Sequence, residues 1–491
     1  METNEVVKAA LMQAAEQEMY HLLTSLQDVP VGNLKELEQQ VMQVALTIGA
    51  RWLGEVLSGQ ARQEAPARRE GSCGHRQRLV GLREKEVLTL VGKVRWQRPY
   101  YQCQIKDRAP WAEAETVCTH GETPADVLWG LDERRTSPGV QQTVSYLAAH
   151  LTLEEAAETF NRLLPLSMSG RQVLTLLRPV GQRLSAGEDE QVHVLWQQAA
   201  QAQSEPEQVL ADQQAQADLP PIQRLYIELD GVLARMRRGS VPLEEHEQQR
   251  PGDVYREVKV GAVFEACRGR ERSDLAPLVW VDEPVQGSIR YVARRTARGN
   301  FGSLLYAVAR ACGLSRAQQV VVLGDGAPWI WRLVEEHFPG AVQIVDLWHA
   351  QEHVWEVAHA VYGRSTAQGR AWAEAGCSLL VHGQLAALVQ AIQALPAVPP
   401  EPGETRSVPE KAVDYFTTNA ARMRYPEFRA QGMHVGSGIA EAACKTVVST
   451  RAKRAGMRWT PEGLDAILPL RTAVLNGTYD TFWENQCGLI V

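Results

Sequence analysis

The clearest pattern in the chain is a pair of apolar stretches that each deliver a carboxylate. Val320-Val321-Val322-Leu323 is a continuous apolar run, as in a strand buried on both faces. Gly324-Asp325-Gly326 follows, and glycine permits the turn that stops such a strand. Leu225-Tyr226-Ile227-Glu228-Leu229-Asp230-Gly231 alternates instead, with Leu225, Ile227 and Leu229 on one face. It too presents an Asp at its predicted end, followed by Gly. Carboxylates at the carboxyl edge of a buried sheet stand where α/β folds place ligands, although an ordinary Asp-Gly turn gives the same local pattern.

Around these stretches the periodicity changes several times. Helical spacing over 1–60, carried by Leu11 to Leu26 and by Leu34, Leu37, Val41, Val44, Ile48, Trp52 and Val56, predicts a helical hairpin broken at Pro30 and Gly32. Residues 61–136 are rich in Arg and Lys. There Val87–Val91, then Gly92-Lys93, then Val94–Gln97 predict a β-hairpin with its turn at Gly92-Lys93. Residues 137–184 read as short helices, with a capping box at Thr152 and Glu155 and a polar break at Ser167–Arg171. This fits a helix-turn-helix for DNA, or an ordinary helical bundle. Residues 185–220, dominated by Gln, Ala, Glu and Asp, are expected as a linker.

From 221 to 491 strands come first and then alternate with helices, the order of a ribonuclease H-like core. Strands are expected at Ile222–Asp230, Glu257–Phe264, Val320–Leu323 and Ala341–Asp346. A helical insertion is expected over about 350–430. The predicted fold class is therefore α/β: a ribonuclease H-like mixed sheet with a helical insertion, preceded by helical and small β-hairpin, degenerate zinc-ribbon-like, regions.

Composition changes this picture little. Of 491 residues, 45% are hydrophobic and 22% charged, as in a globular protein, and the formal net charge of −7 is not that of a general nucleic-acid binder. No apolar run reaches the length of a membrane span, and the first residues lack the order of a signal peptide, so the cytoplasm is the expected location. The eight cysteines are scattered, which favours free thiols or metal ligands over a disulfide framework. Cys73, His75 and Cys103 flank the basic hairpin and suggest a zinc site, but without the tight ligand pairs of a ribbon. Cys118 and His120 offer a late pair. The alternative is a basic hairpin without metal.

Two Asp residues on one sheet suit a shared Mg²⁺ or Mn²⁺. A third carboxylate is offered by His434-Val435-Gly436-Ser437-Gly438-Ile439-Ala440-Glu441-Ala442-Ala443-Cys444-Lys445. Ser437 is placed to cap a helix starting at Gly438, with Glu441 in its first turn, where the helix dipole favours an anion. Lys445 lies one turn on and either serves the site or forms a surface ion pair with Glu441.

At these residues the chain resembles the ISKra family of insertion-sequence transposases, over nearly its full length. The resemblance rests on Leu229-Asp230-Gly231, on Gly324 through Trp331, on His434 through Lys445, and on Lys453-Arg454-Ala455-Gly456-Met457-Arg458-Trp459. It implies an Asp-Asp-Glu transposase in which Asp230, Asp325 and Glu441 bind two Mg²⁺ or Mn²⁺ ions and catalyse DNA cleavage and strand transfer at element ends. It also implies a homo-oligomer. Asp346-Leu347-Trp348-His349 resembles the Asp-x-x-His element of Mutator-like and related transposases, which implies that Asp346 and His349 are accessory to the site; the alternative is that His349 orders its junction with the insertion. Relatives carry paired cysteines on both sides of the basic hairpin, and here the pairs are incomplete.

Local charge supplies a grip on DNA despite the acidic total. Lys445, Arg451, Lys453, Arg454 and Arg458 have no acid between them, and Arg235, Arg237 and Arg238 follow Asp230. Other readings are a nuclease on the same core that cuts without joining, an inactive DNA-binding relic and, more distantly, a carbohydrate hydrolase.

Overall fold

The computed structural model describes residues 33–63, 65–103, 105–107, 116–131, 135–164, 166–204, 220–242, 252–272 and 279–488, with scattered positions between 9 and 24. Leu11, Ala14, Leu22, Ser25 and Leu26 of the expected first helical run, its expected break at Pro30 and Gly32, and residues 205–219 of the expected linker lie outside them, while the described positions between 12 and 24 are helical as expected. The chain forms two compact units, Met1–Leu177 with Trp483–Val491, and Arg178–Phe482. Among the described residues no helix is long and apolar enough to cross a membrane.

In the first unit, helix α1 (Leu34–Gln63) starts at Asn33, whose side chain accepts from the Glu36 amide and donates to the Glu36 carboxylate. It buries Gly54, Leu57, Ser58 and Ala61. The small Gly54, Ser58 and Ala61 let the helix approach a long hairpin of β2 (Arg76–Thr89) and β3 (Gly92–Cys103), which a short β1 (Arg68–Glu70) extends. A Cβ on Gly54 would stand 2.5 Å from the Arg95 carbonyl oxygen. The turn lies at Leu90-Val91 rather than at Gly92-Lys93, because Thr89 pairs with Gly92, which takes φ of 120°. A second hairpin follows, of β4 (Ile105–Asp107) and β5 (Thr116–Cys118), and then β6 (Gly121–Glu122) beside β3. Asp126, in α2 (Pro124–Leu128), is buried between Lys85 at 3.2 Å and Arg98 at 2.8 Å. That places opposite charges where an isolated one would be costly.

Helices α3 (Pro138–His150) and α4 (Leu153–Leu163) follow, and Thr152 and Glu155 form the expected capping box. Asn161 closes the next turn by bonding both the N–H and the C=O of Met168. The helix after that turn, α5 (Gly170–Ser204), is 35 residues long. Residues 185–204 are thus helix rather than linker. Their Gln- and Ala-rich composition is that of good helix formers, which a compositional reading mistakes for a tether.

The second unit is built on a mixed sheet. Its strands are β7 (Ile222–Met236), β8 (Val254–Arg272), β9 (Val279–Pro284), β10 (Arg290–Arg294), β11 (Ala317–Gly324) and β12 (Val342–Val345), in spatial order β10-β8-β7-β11-β12 with β9 on β8. β8 runs antiparallel to β7 and β10, whereas β7, β11 and β12 are parallel. Leu225, Ile227 and Leu229 face α6 (Arg298–Ala311) and α7 (Pro328–His337) in the main core. Tyr226, Glu228 and Asp230 face the other way. Asp230-Gly231 does not end its strand, as the alternation suggested. Gly231 stays in register with Lys259, and the antiparallel ladder runs to Met236. Only the parallel ladder with β11 stops here, at Leu229 opposite Gly324.

Beyond β12 the chain is helical, as expected: α8 (Leu347–Tyr362), α9 (Ala367–Val381), α10 (Leu385–Gln393), α11 (Val408–Thr418) and α12 (Tyr425–Ala430). Then α13 (Gly438–Ala443) passes into a π-helical turn, Cys444–Ser449, and α14 (Pro461–Leu475) lies along β10.

Candidate functional site

Register explains how two distant Asp residues meet. Leu229 pairs with Gly324, so the residues that follow, Asp230 and Asp325, leave neighbouring parallel strands side by side. Adjacent strands lie about 4.8 Å apart. Gly324 also pairs with Val345, and the Asp346 amide donates to the Gly324 carbonyl at 2.8 Å, which adds Asp346 to the same edge. Burial pushes the Asp230 carboxyl above the usual carboxylate range. The Cys444 thiol and the Gly231 amide, which hydrogen-bond to it, hold it down, and the Asp325 carboxylate pushes it up further. His349 is close enough for its charge to act on Asp230. A buried carboxylate whose proton affinity is raised further by a neighbouring carboxylate is part of an anionic pair to which a divalent cation is complementary.

The Asp325 loop is held from both sides. Its Oδ1 accepts from the Ala327 amide at 2.8 Å, and its carbonyl accepts from the Tyr415 hydroxyl at 2.9 Å. Gly326 takes φ of 100°, and a Cβ there would stand 2.6 Å from the Tyr415 ring. Tyr415 belongs to α11, so the helical insertion clamps the Asp325 loop. The His353 ring lies 4.1 Å from that of Tyr415, and burial lowers the proton affinity of His353.

Glu441 is positioned differently. It lies in the first turn of α13, but its side chain is exposed and makes no hydrogen bond or ion pair among the described residues. No three carboxylates converge on one point among the described residues. What the structure does fix is the backbone on either side of Glu441. The Ala440 amide donates to Glu228 Oε2 at 2.7 Å, and one turn on, the Cys444 side chain meets Asp230. Ser437 stands at the N-cap but does not cap α13 with its side chain, as its sequence position suggested. Its amide and hydroxyl both donate to Asp346, which also caps α8 by accepting from the His349 amide at 2.9 Å. Asp346 is therefore a buried anchor that orders the junction of sheet, insertion and α13.

Glu228 escaped the sequence reading because its alternation places it beside Tyr226, on a face with no evident partner. It is fully buried, takes Nε2 of His434 at 2.9 Å, and lies under a stack of His434 on Tyr226 with ring centroids 4.0 Å apart. Glu228→Ala is expected to destabilise the protein by roughly 2–4 kcal/mol, since it leaves the buried Ala440 amide and the partly buried His434 ring without their acceptor. Urea denaturation of the variant checks this, and Glu228→Gln should recover part of the loss.

Among the cations, Arg451 is not available to a phosphate. It is 1% exposed, and its guanidinium lies 5.2 Å from the Trp459 ring centroid. Its place in an acid-free basic run predicts a phosphate contact, but the short helix after the π-turn, Thr450–Ala452, directs it inward. Lys445 is exposed and makes no ion pair with Glu441 among the described residues. Lys453 is exposed and close enough to act on the Cys444 thiol. The two basic runs are joined: Trp459 accepts from the Arg237 amide at 2.7 Å and donates to the Arg235 carbonyl at 3.0 Å. Asp253 bonds both Arg235 and Arg458, while Arg237 and Arg238 remain exposed.

The first unit holds a separate constellation. Ligand atoms of Cys73, His75, Cys103 and Cys118 all lie within 4.8 Å of one another. Cys103 ends β3. The pairing of Ile105 with Cys118 folds the chain back so that Cys118 returns beside it, which replaces the tight sequence pair of a ribbon. His75 Nδ1 is buried without a hydrogen-bond partner, as suits a nitrogen reserved for a metal. His120 stands apart, bonded to Ser72 at 3.0 Å and paired with Glu122.

No protein-family model matches this sequence, and no curated protein matches it. A solved Drosophila P element transposase strand transfer complex is similar in structure with a TM-score of 0.21 and 10% identity, over 74% of this chain and 84% of that one. A TM-score at that level assigns neither fold nor function.

Proposed function

We propose that the chain is a DNA transposase of an insertion sequence, with a ribonuclease H-like catalytic unit acting through Asp230, Asp325 and Glu441. The observation that carries this reading is the register that sets Asp230 beside Asp325 at the carboxyl edge of the parallel strands, with the Glu441 helix bound to the same strand through Glu228. The sheet order, with β8 antiparallel between β10 and β7, supports the ribonuclease H-like assignment.

Asp230 and Asp325 would hold Mg²⁺ or Mn²⁺ from the sheet, and the exposed Glu441 carboxylate would close on it from α13. Divalent ions at such a site activate the attacking oxygen and stabilise the leaving one in an in-line displacement at phosphorus. The chain's own contribution is placement. Tyr415 and Gly326 keep the Asp325 loop in one conformation, Asp346 and Glu228 fix the helix that bears Glu441, and burial of Asp230 favours neutralisation by a cation. Cys73, His75, Cys103 and Cys118 would hold a structural Zn²⁺, for which a set of three sulfurs and one nitrogen is well suited.

Arg237, Arg238, Lys453, Arg454 and Arg458 provide phosphate contacts on the reading that DNA enters beside β7. Binding should weaken steeply with salt. Alanine at both Arg237 and Arg238 is expected to reduce the slope of log K against log salt by about 0.9 per lost contact, measured by fluorescence anisotropy on duplex DNA.

The function is tested by incubating the full chain and Mg²⁺ with a plasmid that carries its coding sequence and flanking DNA. Cleavage at the flanks with joining to a second plasmid supports a transposase. Cleavage without joining supports the nuclease, and neither event, with metal and DNA both bound, supports the relic.

A further inference from the structure

Trp348 is the most exposed tryptophan among the described residues, at 68%. It lies in the first turn of α8, directly after the edge that carries the carboxylates. Asp346 is tied to Gly324, the residue before Asp325, and His349 acts on Asp230. Leu347, by contrast, is buried, and its amide donates to the Val435 carbonyl at 2.9 Å. The outward indole is nevertheless held in place. A Cβ on Gly436 would stand 3.0 Å from Trp348 Nε1, so the ring edge rests on a backbone that only glycine leaves bare. Gly436 is itself fixed, because Val435 bonds Leu347 and Ser437 bonds Asp346.

The fold thus keeps a large flat ring in water two residues beyond Asp346, after the strand edge from which Asp230 and Asp325 leave, while exposed Lys445 and Lys453 follow Cys444, whose thiol bonds Asp230. Its sequence neighbours are buried or polar, so it is a single ring rather than the apolar patch that a protein partner needs. An exposed π-face on the first helical turn after the edge that carries the carboxylates matches an unstacked nucleobase, since aromatic–base stacking tolerates any sequence and needs only one ring.

We propose that Trp348 is a stacking platform for a nucleobase unpaired next to the scissile phosphate, so that the strand to be cut is locally melted. This rests on the reading that DNA occupies the site.

The test uses the full chain without divalent metal and two labelled duplexes of mixed sequence. One is fully paired; the other has a short unpaired stretch containing 2-aminopurine. The wild type should prefer the unpaired duplex and quench 2-aminopurine. Trp348→Ala should lose about ten-fold or more of affinity for that duplex and relieve the quench, with little change for the paired one, while Trp348→Phe should retain most of both effects. Equal losses on both duplexes, or no loss, overturn the platform. If the wild type binds neither duplex, the DNA reading falls and the platform with it. If both duplexes bind and 2-aminopurine is quenched in the wild type and in Trp348→Ala alike, the platform alone is overturned and the DNA reading stands.

Discussion

Asp325→Asn is expected to lower metal-dependent DNA cleavage by about three orders of magnitude or more, with Asp230→Asn as its companion. The substitution keeps the side-chain oxygen that accepts from the Ala327 amide, so the loop between β11 and α7 should retain its shape. What it removes is charge. Asp230 is pushed towards its neutral form by burial and by the Asp325 carboxylate. Without that neighbour Asp230 ionises more readily, and the metal-free variant should be no less stable than the wild type. Thermal unfolding followed by circular dichroism, alongside a cleavage assay, separates the two effects. Full cleavage by both Asn variants would remove the catalytic role of this edge and place the chemistry on other residues.

The second large effect concerns the first unit. The protein is expected to purify with a bound zinc ion, measurable by elemental analysis, and Cys103→Ser should lose it. Structural zinc contributes on the order of 10–16 kcal/mol of apparent binding free energy in small zinc-finger peptides, and even a fraction of that exceeds the margin of an ordinary domain. Loss of the metal should therefore release β2, β3 and β5 to proteolysis within 68–122, while 222–482 stays protected. Cys267→Ser, which alters an exposed thiol outside the cluster, is the control and should change neither readout. If the protein holds no zinc and Cys103→Ser is as protected as the wild type, the hairpin stands on its apolar core and on the Asp126 ion pairs alone.

Much of this was readable one segment at a time. Alternation and apolar runs located β7 and β11, the capping box located α4, and the polar break located the start of α5, because backbone and side-chain geometry impose those periods within a few residues. The same reasoning misplaced the hairpin turn by two residues, since the pairing of Thr89 with Gly92 depends on a register set along the whole length of β2 and β3. It took Arg451 for a surface cation because charge is local, whereas burial depends on what packs above it. It left the thiol cluster incomplete because Cys103 and Cys118 are joined by a strand pairing rather than by spacing.

Identity and order of residues settle which groups are on offer: carboxylates behind apolar strands, thiols around a basic hairpin, cations after Ser449. Which of them meet is a matter of register and packing between segments a hundred residues apart. Leu229 opposite Gly324 joins Asp230 to Asp325, and Glu228 holds the helix of Glu441. Short-range preferences act within a turn or a strand, but a site forms only where long-range pairing brings its parts to one edge, and that pairing exists only in the folded chain.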